Sequence, residues 1–240
     1  MVKLSNMNTK VNLKKLQYNN NKKVGEGSFG AVFNLHNNKR TNKKYVIKKV
    51  KSTWPLKVIS FLWTGMTQTR QFKREVYALN RLSNLGISPK IFHYNEENMT
   101  YIIEKLDYNL DEMIKKKMIK PTHISKLIEV FKKLQKTKIK HNDLHSGNIM
   151  YSKSKNRFFI IDLGIFQVLN KCENGIAKEV CYNFEKRNAD LLSDLLFYIR
   201  EQVRSKKTSK KIKSQYIKAF KSLVVLFNLD IISFIKSFLK

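Results

Sequence analysis

The sequence predicts an α+β fold, with strands gathered toward the N-terminus and helices toward the C-terminus. Three observations point there. A glycine-rich turn runs into Val32-Phe-Asn-Leu-His36, which has the look of a strand, and Tyr45–Val50 reads as a second strand. From Phe72 onward apolar residues fall at helical spacing, in Phe72–Leu82 and again in Ile124–Ile139, where Leu127, Ile128, Phe131 and Leu134 share one face. Strands followed by helices mark an α+β chain, and 240 residues leave little for any further domain.

The elements can be justified in order. Val24-Gly25-Glu26-Gly27-Ser28-Phe29-Gly30-Ala31-Val32 fits G-x-G-x-x-G-x-V, a loop suited to covering phosphates because glycine lets the main chain approach closely and turn sharply. Taken alone it also fits a dinucleotide-binding turn or a plain hairpin; the strand rather than helix after it disfavours the dinucleotide option. Five of the eight glycines (Gly25, Gly27, Gly30, Gly147, Gly164) fall in this loop and in the motifs below. In Tyr45–Val50, Lys48 takes the place of a phosphate-anchoring lysine, with Lys49 on the opposite face. A lysine proves little in a chain with 48 Lys and Arg. Its partner is better evidence: Glu75 is the one acid between Glu26 and Glu96, and a lysine held on phosphates needs a carboxylate to fix it.

The most informative stretch is His141-Asn-Asp143-Leu-His145-Ser-Gly-Asn148, followed by Ile-Ile-Asp162-Leu-Gly164, with Asp162 19 residues after Asp143. A carboxylate, an amide and a second carboxylate stand where phosphoryl transfer from Mg-ATP needs them. Asp143 can accept the proton of an attacking hydroxyl, while Asn148 and Asp162 offer hard oxygen ligands to Mg2+ or Mn2+. Any one of these residues alone reads as a solvated loop position.

Together these five motifs, over roughly residues 20–165, resemble the eukaryotic-type protein-kinase superfamily, in the form of a small, divergent Ser/Thr kinase. The resemblance implies a two-lobed fold with ATP in the cleft: an N-lobe of antiparallel sheet (five strands) plus one helix, then a compact, mainly helical C-lobe. It places the N-lobe at 1–105, with a polar tail at 1–20 and an insertion at 52–70, and a reduced C-lobe at 106–240. Gly25, Glu26, Gly27, Ser28, Phe29, Gly30 and Val32 would cover the nucleotide, and Lys48 with Glu75 would anchor its phosphates. Tyr101–Asp107 resembles the strand and hinge whose main chain reads adenine, which brings in Glu104 and Leu106. Asn109–Ile114 and Ile124–Ile139 resemble the next two helices, and 190–240 has room for about three short ones.

The departures from that pattern are equally informative. Asn142 stands where many kinases carry an arginine that grips a phosphorylated activation loop, and residues 163–192 contain no Ser or Thr, only Tyr182. Activity independent of activation-loop phosphorylation is therefore expected. There is no Ala-Pro-Glu after Asp162-Leu-Gly, so the peptide-docking segment is reduced or rebuilt. Asp190, with Asp194 in competition, resembles a helix acid that braces the catalytic loop. His145 replaces the lysine common in Ser/Thr kinases; Asp-Leu-His-x-x-Asn also occurs in aminoglycoside- and choline-kinase-like enzymes, and an imidazole can donate to a phosphate oxygen. A small-molecule phosphotransferase is thus the alternative, and a basic pseudokinase or nucleic-acid-binding scaffold a third reading. Intact Lys48, Glu75, Asp143, Asn148 and Asp162 argue against the third.

Composition bounds partners and setting. A net charge of +30 would attract acidic proteins, nucleic acid without sequence preference, or anionic membranes, so acidic or nucleic-acid-associated protein substrates are expected. Runs such as Lys115–Lys117 and Arg204–Lys213 also read as ordinary solvated faces, and lysine-rich codon usage contributes. The first 20 residues lack an apolar signal core, and Leu223–Ile235, interrupted by Asn228 and Asp230, is too short to span a bilayer. Two cysteines, Cys172 and Cys181, suit a reducing compartment and a cytoplasmic setting. Abundant Lys, Asn, Ile and Phe with scarce Pro and Gly fit an AT-rich genome, as in compact kinases of large DNA viruses, for which host cytoplasm or virion would be the location. The insertion 52–70 holds Trp54 and Trp63 and reads as an extra packed helix or a docking surface.

Overall fold

A computed structural model describes residues 17–26, 30–36, 45–51, 67–137, 139–164, 167–168 and 193–226. Its first half is an antiparallel sheet of β1 (Gln17–Glu26), β2 (Gly30–His36), β3 (Tyr45–Val50), β4 (Ile91–Asn95) and β5 (Thr100–Glu104), ordered β1-β2-β3-β5-β4. Alternation along β3 and β5 gives the sheet two apolar faces. Ile47 and Ile102 join Ala31, Phe33 and Leu35 in a small cluster on one side. Val46, Tyr101 and Ile103 face the main core on the other. Helix α1 (Gln68–Ser83) lies on that second side. Thr67 caps it by accepting from the Arg70 amide at 3.3 Å, and Phe72, Glu75, Val76, Leu79 and Leu82 form its buried stripe. Its far end is tied down by the Ser88 hydroxyl, which donates to Leu79 O at 2.6 Å.

Glu104 leads into a linker held from both sides. Lys105 Nζ donates to Asn34 Oδ1 at 2.9 Å on β2, and the Asp107 amide donates to Tyr151 O at 2.9 Å. Beyond it, β6 (Tyr108–Asn109), β8 (Ile149–Ser152) and β9 (Arg157–Ile160) form a small sheet, and β7 (Ile139–Lys140) pairs with β10 (Gln167–Val168). The helices are α2 (Leu110–Lys115), α3 (Pro121–Lys136), α4 (193–204) and α5 (Lys210–Leu226). Asn109 and Glu112 close a capping box on α2. The hydroxyls of Tyr198 on α4 and Tyr216 on α5 both donate to Ile119 O, at 3.0 and 2.7 Å, which locks the two last helices onto one carbonyl. One core runs from Phe72 and Leu79 under the sheet to Leu127, Phe158, Leu195 and Leu223 among the helices. The two-lobed α+β architecture expected from the sequence is the one observed.

Boundaries differ in places. β1 begins at Gln17, so the last four residues of the expected tail belong to the sheet. α1 takes in Gln68, Thr69 and Arg70, because Thr67 supplies its cap; the expected insertion therefore ends earlier, and 52–66, with both tryptophans, lies outside the described residues. The helix expected over Ile124–Ile139 runs Pro121–Lys136, starting on a proline whose missing N–H is harmless in a first turn. Thr137 ends it: its hydroxyl donates to Leu134 O at 2.6 Å and accepts from the Ile139 amide at 3.2 Å, steering the chain into β7. Two helices rather than three short ones occupy the described part of 190–240, and the second has 17 residues. Leu223–Leu226 closes α5; the rest of the apolar stretch to Ile235 lies outside the described residues. Among the described residues no helix is long and apolar enough to cross a membrane.

Candidate active site

Lys48 is delivered by β3 and Glu75 by α1, and the two meet with Lys48 Nζ donating to Glu75 Oε1 at 2.8 Å. The same ammonium donates to Asp162 Oδ1 at 3.0 Å, so one cation sits between two carboxylates. Burial works against the Lys48 charge, yet Asp162 and Glu75 overcome it and hold the ammonium well above the usual lysine range. Burial pushes the Glu75 carboxyl up, opposed by Lys48, whereas Lys48 pulls Asp162 down. Burial is the largest influence on Glu75, and the neighbouring Asp162 charge adds to it, whereas at Asp162 the attraction of Lys48 outweighs burial. Tyr101 on β5 joins them, its hydroxyl donating to Glu75 Oε1 at 2.8 Å. Lys49, as expected, is turned to the exposed side of the strand.

The loop 141–148 is held differently, by main-chain contacts. His141 Nδ1 accepts from the Asp143 amide at 3.2 Å, so its proton resides on Nε2, which donates to Ile161 O at 2.8 Å. Burial depresses the His141 pKa and keeps the ring neutral. That ring joins the loop to the residue preceding Asp162. Ile161 completes the link, donating its own amide to Asn148 O at 3.0 Å. Asn142 (φ 67°) and Asp162 (φ 59°) both take left-handed backbone, which Asn and Asp tolerate better than most residues. At Asp162 this turns the chain off the line of β9 toward Lys48.

The expected metal ligands fit that role. Asn148 Nδ2 donates to Asp143 O at 2.9 Å, which leaves Oδ1 as the atom able to take a cation and ties the amide to the expected base. Asp162 engages Lys48 through Oδ1 and keeps acceptor capacity on a half-exposed side chain. Two oxygen donors on neighbouring segments, completed by phosphate and water, are what Mg2+ takes in nucleotide sites. No cluster of three His, Cys, Asp or Glu able to hold a metal occurs among the described residues.

The remaining expected residues divide. Gly25 pairs with Val32, and Val32 with Lys48, in the strand register beside the lysine. A Cβ on Gly30 would stand 3.1 Å from Lys49 O and 3.3 Å from Lys48 Cε, so glycine here makes room for the lysine stem. The Glu26 side chain is exposed and taken by Lys23 and Lys51, which pull its carboxyl down to about 2. The Glu104 side chain accepts from Lys155 Nζ and from the Lys90 amide, and Leu106 lies half-buried in the linker. His145 Nδ1 accepts from the Gly147 amide at 3.1 Å, so the neutral imidazole carries its proton on Nε2. Gly27, Ser28 and Phe29 lie outside the described residues, as does Asp190; Asp194 is exposed and its charge acts on Lys115 at the end of α2. Sequence reasoning gave no role to Tyr101 or His141. A hydroxyl-bearing ring in the apolar run Tyr101-Ile-Ile was the available signal for the first.

Comparison with known proteins agrees with this geometry. The model of the protein kinase domain matches residues 18–221, well over half of the chain. The serine/threonine-protein kinase STN7, chloroplastic, of Arabidopsis thaliana is 28% identical over 181 residues, covering 66% of this chain and 32% of that protein. The chain therefore spans about a third of the length of this curated relative. A lysine bracketed by two acids, a loop carrying Asp143 and Asn148 bonded to the Asp162 turn, and a domain match across both lobes lead to one assignment: the chain belongs to the protein kinase domain family.

Proposed function

We propose that the chain is an active kinase that transfers the γ-phosphate of Mg-ATP to Ser or Thr hydroxyls of protein substrates, without prior phosphorylation of its activation loop. The observation that carries this reading is Lys48 held between Glu75 and Asp162 at 2.8 and 3.0 Å. That pairing is already made in a chain with Asn142 in place of the phosphate-gripping arginine and no Ser or Thr in 163–192.

Each residue then has a task. Lys48, oriented by Glu75, presents its ammonium to the α- and β-phosphates. Asn148 and Asp162 would hold the metal. When bound, Mg2+ or Mn2+ neutralises charge that builds on the phosphate oxygens. Asp143 accepts the proton of the attacking hydroxyl, with its main chain fixed by His141 and Asn148. His145, protonated on Nε2, donates to an oxygen of the transferring phosphate, the task of the lysine it replaces. Similarity to a serine/threonine kinase supports the hydroxyl preference, and the charge of +30 supports acidic or nucleic-acid-associated substrates. Two cysteines in 240 residues support a reducing, cytoplasmic setting.

The test is transfer of labelled γ-phosphate from Mg-ATP by phosphatase-treated protein, native against Asp143→Asn, with acidic and basic acceptors. Phosphoserine or phosphothreonine in acidic proteins, lost in the variant, is the expected result. Absence of protein label from both forms would turn the reading toward a small-molecule acceptor or a scaffold. Label that appears only after treatment by another kinase would remove the claim of independence.

A further inference from the structure

We propose that Tyr101 is a positioning residue for phosphoryl transfer: its hydroxyl, delivered from β5, pins Glu75 beside Lys48 and holds α1 against the sheet in place of a phosphorylation-driven contact. The proposal rests on the kinase reading above, since it concerns the Lys48–Glu75 pair.

The geometry begins with register. Lys48 and Tyr101 are direct partners across β3 and β5, so both side chains leave the sheet on the same face, toward α1. There they converge on a single atom: Glu75 Oε1 accepts from Lys48 Nζ and from the Tyr101 hydroxyl, each at 2.8 Å. Tyr101 is 2% exposed, and its ring lies 6.1 Å from that of Phe72, one turn before Glu75 on the same helix. Thus Tyr101 touches α1 twice, by ring packing and by hydrogen bond.

The two donors differ in stiffness. A lysine reaches its acceptor on four rotatable carbons and can follow a carboxylate that moves. A tyrosine has two side-chain torsions, and β5 lies inside the sheet between β3 and β4, so its hydroxyl is a fixed post. An outward swing of α1 would leave this buried hydroxyl without its acceptor and Glu75 without its rigid donor, an unfavourable exchange in a dry site. Lys48 alone imposes no such restraint. Glu75 stays inward because the sheet itself holds it.

A competing account is that the carboxylate merely satisfies a core tyrosine. The two accounts separate in the native background, where only a positioning role moves nucleotide affinity, and the Glu75→Ala background shows whether the effect runs through Glu75. Tyr101→Phe removes the hydroxyl and keeps the ring; its effect should be measured in the native chain and in a Glu75→Ala background. Three readouts apply: kcat and KM for ATP, affinity for a non-hydrolysable ATP analogue with Mg2+, and the thermal midpoint. In the native background Tyr101→Phe is expected to lower kcat/KM on the order of tenfold, mainly through a higher KM for ATP, and to weaken analogue binding in parallel. In Glu75→Ala it should change neither kcat/KM nor analogue affinity, whatever it does to the thermal midpoint. A loss of equal size in both backgrounds, or none in the native chain, overturns the proposal. If the native chain transfers no phosphate, the kinase reading fails by itself, and the analogue affinities still decide the role of Tyr101.

Discussion

The two halves of the candidate active site are built by opposite means. In one half, Lys48, Glu75, Tyr101 and Asp162 come from four separate elements and are joined almost wholly by side chains, around the buried Glu75 and Tyr101. In the catalytic loop, Asp143, His145 and Asn148 lie within six residues and are placed by main-chain amides and carbonyls: Asp143 N on His141, Gly147 N on His145, Asp143 O on Asn148. The first arrangement depends on how two elements dock and can open or close with them. The second is local and keeps its form so long as its own turn survives. A kinase needs both, a fixed base and a lysine whose placement reports that the lobes are assembled. Substitutions in the two halves should therefore fail in different ways.

The largest effect should come from Asp143→Asn, which keeps the loop's main-chain bonds and removes the proposed base. Phosphate transfer should fall by about 100- to 10,000-fold with an unchanged unfolding midpoint and nearly unchanged affinity for the ATP analogue. Lys48→Met should follow, with a loss on the order of 100-fold or more and a clear loss of nucleotide affinity. It should also lower stability, because Glu75 is left buried without its cation. If the Lys48 variant kept nucleotide affinity and lost only turnover, the division drawn between the two halves would be wrong.

Gly147→Ala sharpens the local half. A Cβ there would stand 2.8 Å from His145 Cε1 and 3.0 Å from Nδ1, so the ring must leave the Gly147 amide. Activity should drop on the order of tenfold or more while affinity for the ATP analogue, in which Lys48 has the larger part, stays near native. Displacement of His145 seen by structure, without any kinetic change, would remove His145 from the reaction.

Sequence legibility follows the same division. The loop was readable because its chemistry is contiguous: His141–Asn148 declares its spacing in one line of sequence. Lys48 is legible from the register of Tyr45–Val50 with the V-A-I-K motif, and Glu75 as the lone acid in its span. Tyr101 was not, because its role depends on β3 and β5 lying opposite each other in one register, a long-range fact that local periodicity does not contain. The tautomer of His141 and the two left-handed residues depend on contacts between the loop and Ile161 and were hidden for the same reason. The tyrosines on Ile119 O join segments 79 and 97 residues apart, so the docking of α4 and α5 was equally out of reach. Helix ends were misplaced by a few residues where one hydroxyl decides them, at Thr67 and Thr137.

A smaller effect concerns pH. Burial depresses His141, so the unfolded chain takes up a proton near the ordinary histidine value of about 6.5 while the folded chain resists it. Stability from this group is therefore complete above that value and is lost as pH falls through the folded pKa. His123, depressed by burial and by Lys126 and Lys120, adds a slope of the same sign. Urea unfolding between pH 7 and 5 should show falling stability in the native chain and a shallower fall in His141→Gln. An equal slope in both would mean that His141 titrates normally and that its bond to Ile161 O does not select the neutral ring.

The smallest effect should come from Glu26→Gln. Its carboxylate sits in the phosphate-covering motif and pairs with Lys23 and Lys51, so a sequence-based reading would rank it with the nucleotide contacts. The side chain is exposed, however, and exposed pairs exchange water for a screened attraction with little net gain. KM for ATP and the unfolding midpoint should both match the native values at moderate salt. Removing a negative charge beside two lysines should, if anything, tighten nucleotide binding slightly at low ionic strength, an effect that salt erases. A rise in KM that persists at high salt would show instead that the carboxylate orders the loop. The glycine-rich turn would then belong with Lys48 and Glu75, as a part held by side chains.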